Sequence, residues 1–560
     1  MKKLYAILWI WGTVSWAQEG VKIGVLSDPH LHTIYIKEET QALKPFYNPQ
    51  VNRYELVRSL RGQMASTRLF NENYFAFRQA LIDLVAQGVK LILISGDYTD
   101  DGQELNIKAT QRLLSEFQTK YGLRFFLTNG NHEAVNQIDR EGGKPDFVTQ
   151  DGQVIGGYSS SELLQKKEDV LYPPLKEIGY ETMFPLIKDF GLQPYQTDLF
   201  YSTPFHSLAY ESYTSNQDFS MNRRKYESNG IQYPDFTYLV EPVEGVWILA
   251  IDGNMYKQVA TDTFKNTSDG YHFIEERKYL LQWIEQVVVE AKKRGKRLIA
   301  FGHYPILDFN NGQRLTLEKL LGKDKFQLSR VPTEETQEQW LQTGLTLHFA
   351  GHMHINQHGF KKQGEQQLWN IQVPSLAAYP PAYKIVEIKA KTMAIKTVEL
   401  DEVAGYDSLF ALYRKEVEKG EFQDFFKAKN YRELTKSHLK YLSEHRFYDH
   451  DFSDKKWDKY KQGTSLEAYI APKMKANWST KNRTVVQKLD FKTLLFDLYL
   501  VRNGNNIGIA AIDPDRREVY QVWHEWNLMH GALTPLDQLV DLLVDIMEHS
   551  TTTNYLEIDG

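Results

Sequence analysis

The sequence predicts a layered α/β fold, and three observations carry that prediction. Short apolar runs rich in Val, Ile, Leu and Phe recur between residues 21 and 352, each closing in a polar or glycine-containing turn. Between them lie stretches with apolar residues at helical spacing, and an alternation of buried strand with amphipathic helix builds sheets covered by helices. Further strands with clearer in–out alternation follow from 366 to 400, which fits a more antiparallel part of the sheet.

Taken in order, "MKKLYAILWIWGTVSWAQEG" carries Lys2 and Lys3, an apolar run from Leu4 to about Trp16, and a small-x-small site at Ser15-Trp16-Ala17. This pattern reads as an export signal over residues 1–17, cleaved near Ala17, with a periplasmic or secreted destination. The apolar run is too short to span roughly 30 Å of hydrocarbon as a helix, so no transmembrane anchor is expected. Strands are expected at 21–28, 89–97, 123–131, 246–254, 296–303 and 345–352, and helices at 71–88, 103–122 and 274–295. Two segments interrupt the rhythm. Residues 33–70 separate the first strand from its helix, and residues 134–245 read as a polar, tyrosine-rich insertion into a domain spanning 18–400.

After residue 401 the chain becomes helix-rich, and 401–560 reads as a C-terminal extension. Its last helix is well signalled by Thr534 as N-cap, Pro535 in the first position and Asp537 in the first turn. Residues 485–526 fit either helix or strands turning at Asn503-Gly504, and periodicity does not choose between them.

Composition excludes some chemistry. The 560 residues are 42% hydrophobic and 25% charged, as in ordinary globular proteins. There is no cysteine, so disulfides, thiolate metal ligands and a cysteine nucleophile are all ruled out. A net charge of -6 argues against a stable nucleic-acid partner.

The chemistry sits where strands end. In order come Asp28-Pro29-His30, Gly96-Asp97, Gly130-Asn131-His132-Glu133, Gly302-His303 and Gly351-His352-Met353-His354. Loops at the C-terminal ends of parallel strands converge, so Asp28, His30, Asp97, Asn131, His303, His352 and His354 are candidate ligands of one site. Residues two apart in extended chain point the same way, which lets Asp28 act with His30 and His352 with His354. Imidazole, carboxylate and amide oxygen suit Zn, Fe or Mn. Seven ligands are too many for one ion and suit two, if one carboxylate bridges.

These five blocks resemble the calcineurin-like metallophosphoesterases, whose pattern runs D-x-H, G-D-x-x-D, G-N-H-[DE], a histidine after glycine, and G-H-x-H; the likeness covers about residues 21–400. The resemblance implies an αββα sandwich with two divalent or trivalent metal ions and a metal-bridging hydroxide that attacks phosphorus. By motif position, Asp28, His30, Asp97 and His354 would hold one ion, and Asp97, Asn131, His303 and His352 the other. His132 would assist the leaving group and Asp100 would orient it; Glu133 would support the loop.

The same resemblance bears on the substrate. Protein serine/threonine phosphatases of this superfamily carry an arginine where Asp101 stands here, and an anion there repels a dianionic monoester more than a monoanionic diester. The stretch "VPSLAAYPPAYKIVEI" is similar to one in acid sphingomyelinase-like phosphodiesterases, and places Tyr379 and Tyr383 as candidate substrate contacts. "LISGDYTDDGQE" is similar to the cyclic-nucleotide phosphodiesterase-like branch. The reading is therefore an exported phosphodiesterase acting on a small phosphoester such as a nucleotide or a phospholipid head group. A phosphomonoesterase or nucleotidase, a surface binding module on the same scaffold, and a nuclease are the alternatives.

Overall fold

The computed structural model describes residues 20–35, 43–49, 52–260, 263–267, 276–389, 392–462, 465–473, 480–550 and 555–559. The export signal expected at 1–17 lies outside the described residues. Thirteen strands form the two main sheets: β1 Lys22–Leu26, β2 Leu91–Ser95, β3 Arg124–Thr128, β4 Phe200–Ser202, β5 Tyr238–Val243, β6 Val246–Ile251, β7 Arg297–Gly302, β8 Leu347–Ala350, β9 His358–Gln363, β10 Gln366–Gln372, β11 Ala382–Ile388, β12 Thr392–Glu399 and β13 Tyr555–Asp559. One sheet runs β13-β12-β11-β1-β2-β3, the other β4-β5-β6-β7-β8-β10-β9. β1, β2 and β3 are parallel, as are β6, β7, β8 and β10. Their C-terminal ends therefore deliver loops to a common edge.

The side-chain period of β6 shows how the layers stack. Ile248 and Ala250 join the core between the sheets, whereas Trp247, Leu249 and Ile251 face outward onto helix α3, Lys278–Lys293, through Trp283, Ile284 and Val287. Helices α1, Asn73–Ala86, and α2, Glu104–Tyr121, cover the other sheet with Phe77, Leu84, Leu114 and Phe117. The result is helix, sheet, sheet, helix, the αββα arrangement expected from the resemblance. Gly24 lets α1 sit close to β1: a Cβ there would lie 2.9 Å from a Leu84 methyl.

One expectation needs correction. The stretch 134–245 is not wholly an insertion, because β4 and β5 within it are strands of the second sheet. Their polar, tyrosine-rich flanks masked short strands that pair antiparallel at the sheet's edge. The extension after 401 is helix-rich as expected, and its strand β13 pairs with β12 and ends the first sheet. After helix α4, Tyr431–Glu444, residues 491–530, for which periodicity does not choose between helix and strand, are helical through α5, Phe491–Gly504, and α6, Pro514–His530, with a short helix Asn506–Ala511 between. The last helix, Pro535–Glu548, has the expected Thr534 cap, closed reciprocally by Asp537.

The C-terminal helices share one core with residues 309–331 and with Met353 and Ile355, which flank His354. Asn356 and Gln357 fasten α5 to the end of the GHMH segment. The Asn356 amide donates to the Gly504 carbonyl at 3.3 Å, and the Gln357 amide to the Arg502 carbonyl at 3.0 Å. Side chains from one strand end thus satisfy helix-terminal carbonyls that have no intrahelical donor.

Candidate metal centre and cavity

Each of the seven expected ligands stands at the predicted strand end, and the fold brings them into two clusters that meet at Asp97. In the first, His354 Nε2 lies 3.3 Å from Asp28 Oδ1 and 3.1 Å from His30 Nε2. In the second, His303 Nε2 lies 3.2 Å from Asn131 Oδ1, 3.1 Å from His352 Nδ1 and 3.3 Å from Asp97 Oδ2. The same Asp97 oxygen is 3.7 Å from His30 Nε2, so one carboxylate faces both groups. Asp28, His30, Asp97, His352 and His354 all have positive φ, between 42° and 68°. For residues with a Cβ this costs roughly 1–2 kcal/mol apiece, strain of the kind that concentrates at functional sites. Gly351 is required beside them, since any Cβ would collide with Ser27 and the Asp28 carboxylate.

These residues fit a pair of metal ions on their own chemistry. His303 Nδ1 donates to the Ser95 carbonyl at 2.9 Å, which fixes its proton there and leaves the Nε2 lone pair facing His352. Opposed imidazole lone pairs repel unless a cation or proton lies between them. Burial pushes His30 and His352 well below the usual histidine pKa, which favours the neutral, ligating form. Burial also opposes charge on His303, but Asp97 and Asp28 outweigh it and raise its pKa to about 9, a proton that a bound cation would displace. Asp97 is held well below the carboxylate range: burial works against its charge, but His303 and His132 favour it more strongly.

His132 stands beside the clusters, with Nε2 3.9 Å from Asp97 Oδ2 and its ring edge-on to His30 at 4.8 Å. Here the sequence expectation is corrected. The carboxylate against His132 Nδ1 belongs to Asp101, which Lys144 holds from the other side. Asp100 turns away and is gripped by Arg58 Nη1 at 2.9 Å and Arg68 Nη2 at 2.5 Å. The reason is local backbone: Asp101 has a φ of 64°, so the two neighbours project differently from one tight turn. Glu133 behaves as expected, accepting from the Thr99 amide at 2.6 Å and from the Thr99 hydroxyl at 2.8 Å.

Tyr379 and Tyr383 are also corrected as substrate contacts. Both are buried in packing, Tyr383 with its hydroxyl on Gln87 at 3.0 Å, and neither lines the cavity over the ligands. Tyr379, in the turn before Pro380, packs into the core of the C-terminal helices, whereas Tyr383, on β11, packs into the core of the sheets.

Several supporting residues escaped the sequence reading. Arg58, Arg68 and Lys144 come from the two interrupting segments, where scattered basic residues form no pattern. Asn254, at the end of β6, donates to the Gly130 carbonyl at 2.9 Å and the Glu133 carbonyl at 2.7 Å, bracing the His132 loop. Only its position at a strand end would have pointed to it.

Above the clusters lies a cavity of about 520 Å³ whose floor includes His30, Asp97, His132, His352 and His354. Its roof comes from the C-terminal helices, including His438, Tyr499 and Arg502.

The family model for calcineurin-like phosphoesterases matches residues 21–356. The chain belongs to the calcineurin-like phosphoesterases. The family is one of metal-dependent phosphoric ester hydrolases with a dinuclear centre, in keeping with the two clusters. Among solved structures, the chain is similar to a dimetal phosphatase from Danio rerio, at 12% identity over 68% of this chain and 96% of that one, with a TM-score of 0.28. It is also similar to the inner-membrane-complex anchor GAP50 of Plasmodium, at 10% identity over 68% and 85% of the two chains, TM-score 0.27. A third likeness is to the Thermus thermophilus sulfate thiohydrolase SoxB, at 12% identity over 71% and 60%, TM-score 0.28. No curated protein matches the chain. Among the described residues no helix is long and apolar enough to cross a membrane.

The corrected geometry separates the two aspartates by experiment. Asp101→Asn is expected to lower kcat about 10–100-fold by releasing His132, with little change in stability. Asp100→Asn is expected to cost about 1–3 kcal/mol of stability, because Arg58 and Arg68 both lose its carboxylate and keep only Asp146 and Asp101. Urea denaturation beside steady-state kinetics reads both; the reverse pattern would reinstate Asp100 as the partner of His132.

Proposed function

We propose that this is an exported, metal-dependent phosphodiesterase. Asp28, His30, Asp97 and His354 would hold one ion, Asp97, Asn131, His303 and His352 the other, and His132 would serve as proton donor to the leaving alcohol. The observation that carries the diester reading is charge compensation beside the clusters. Arg58, Arg68 and Lys144 stand against Asp100, Asp101 and Asp146, three cations against three carboxylates, all within one network. No cation of that network is left over to grip a phosphate dianion, whereas a monoanionic diester needs none. Asp101 argues for a diester less by repelling the substrate than by absorbing Lys144.

Bound ions would supply Lewis acidity and an activated water for attack at phosphorus. The chain's own residues do the rest. Asp101 accepts from His132 Nδ1–H, fixing the tautomer and countering the burial that lowers the His132 pKa, and Lys144 holds Asp101 in place. His132 Nε2 then faces the space over Asp97, where it can give its proton to the departing oxygen. The roof limits entry to a small molecule, since a cavity of about 520 Å³ is of small-ligand size. Export is supported by the pattern of residues 1–17, and sequencing the N-terminus of the mature protein would check cleavage after Ala17.

The test is a metal analysis followed by turnover of bis-nitrophenyl and mono-nitrophenyl phosphate. The expected result is two ions per chain and a kcat/KM at least about 10-fold higher on the diester, which is a difference of roughly 1.4 kcal/mol in barrier. Faster turnover of the monoester would overturn the diester reading and leave a phosphomonoesterase.

A further inference from the structure

The roof of the cavity contains a buried cation whose partners do not account for it. Arg502, in the last turn of α5, is 7% exposed. Its Nη1 donates to Asn503 Oδ1 at 2.9 Å, and its guanidinium carbon stands 4.9 Å from the Phe326 ring centroid. Among the described residues, Nε and Nη2 are buried with no hydrogen-bond partner. A guanidinium taken out of water with two unsatisfied donor nitrogens costs several kcal/mol, a cost normally met by an anion. Asp451 is the nearby carboxylate on the same lining, but its oxygens are engaged by Tyr499 Oη, by the Phe326 amide at 3.0 Å and by His450 at 2.7 Å. Arg330 lines the same cavity, and its charge bears on both His352 and Arg502, which places a second positive group between the floor and the roof.

We infer that Arg502, assisted by Arg330, is an anion subsite for the ester arm that stays on phosphorus, so that the natural ligand is a small phosphodiester bearing a second anionic group on that arm, a carboxylate or a further phosphate. The inference rests on the phosphoesterase reading for the floor of the cavity only. It explains why α5 is fastened so closely to the segment after His354: the Asn356 and Gln357 bonds to its last carbonyls set Arg502 at a fixed place above the ligands. The fork of a guanidinium matches a carboxylate or phosphate with two parallel hydrogen bonds, the number that Nε and Nη2 have to offer. Burial also draws the Arg502 pKa down, an effect that an anion would reverse.

Two measurements test it. The first compares 4-nitrophenyl ethyl phosphate with its 4-nitrophenyl 2-carboxyethyl counterpart in the metal-loaded protein. The carboxylated diester is expected to show at least about 10-fold higher kcat/KM, and Arg502→Met to bring that ratio close to one. The second measures calorimetric binding of ethylphosphonate and 2-carboxyethylphosphonate, with no turnover involved. The carboxylate should tighten binding by a similar factor in the native protein and in neither Arg502→Met nor, to the same extent, Arg330→Met. Melting curves of both variants report folding, and Arg330, being only half-buried, guards against a variant that fails to fold. Equal binding of the two phosphonates by the native protein, or a preference that survives Arg502→Met, would overturn the subsite. If the binding preference holds while neither diester is hydrolysed, the subsite stands and the hydrolase reading falls.

Discussion

Asp97→Ala is expected to lower metal-dependent turnover by more than about 10³-fold and to reduce bound metal below one ion per chain. The size of the effect follows from position. One Asp97 oxygen faces His303 at 3.3 Å and His30 at 3.7 Å, so its loss strips a ligand from both clusters at once. The other oxygen accepts from the His132 amide at 2.9 Å, so the loop that carries the proton donor loosens as well. Asn131→Ala is the control, because Asn131 touches the second cluster only and is expected to lose one ion rather than two. Elemental analysis of both variants alongside kinetics decides the matter. An Asp97→Ala protein that retains two ions and full turnover would remove the two-cluster assignment.

The second large effect is expected at His132. Replacement by alanine should lower kcat about 10²–10⁴-fold for a diester with an alkyl alcohol as leaving group, because proton donation then matters most. For nitrophenolate, which departs readily without a proton, the loss should be at least about 10-fold smaller. A plot of kcat against leaving-group acidity for the native and variant proteins reads the difference directly. An equal loss on both substrates would mean that His132 works on the attacking side or only holds structure. Asp101→Asn should reproduce the leaving-group dependence in weaker form, whereas Asp100→Asn should not, since Asp100 spends its oxygens on Arg58 and Arg68.

The sequence made the floor of this site legible and left its roof obscure, for physical reasons. Ligands such as Asp28 and His303 sit where a continuous apolar strand stops, and that boundary is visible in composition alone. Asp100 and Asp101 are adjacent in one turn, and which of them faces His132 depends on a left-handed φ that residue type does not dictate. The Asn503-Gly504 pair has the composition of a hairpin turn but ends α5, where Asn505 with φ 53° redirects the chain into the next helix. Arg502 is one arginine among many in a helix-rich stretch. Its meaning comes from contacts across more than a hundred residues, as with Asn356, whose amide accompanies the Gly504 carbonyl. Tyr379 and Tyr383 misled because a family-like stretch says which residues are present and not which way a strand turns them.

The pairing of β13 with β12 also ties the C-terminal helices back to the first sheet. The proposed ligands all precede residue 355, whereas the edge of β12 is paired by residues 555–559, some two hundred residues further along the chain. The helices of the roof run between those two neighbouring strands, as a loop whose ends are stitched side by side. A chain interrupted before its final strand would hold its ligands yet lack the clasp that keeps the lid anchored, and would expose a strand edge inviting association with other chains.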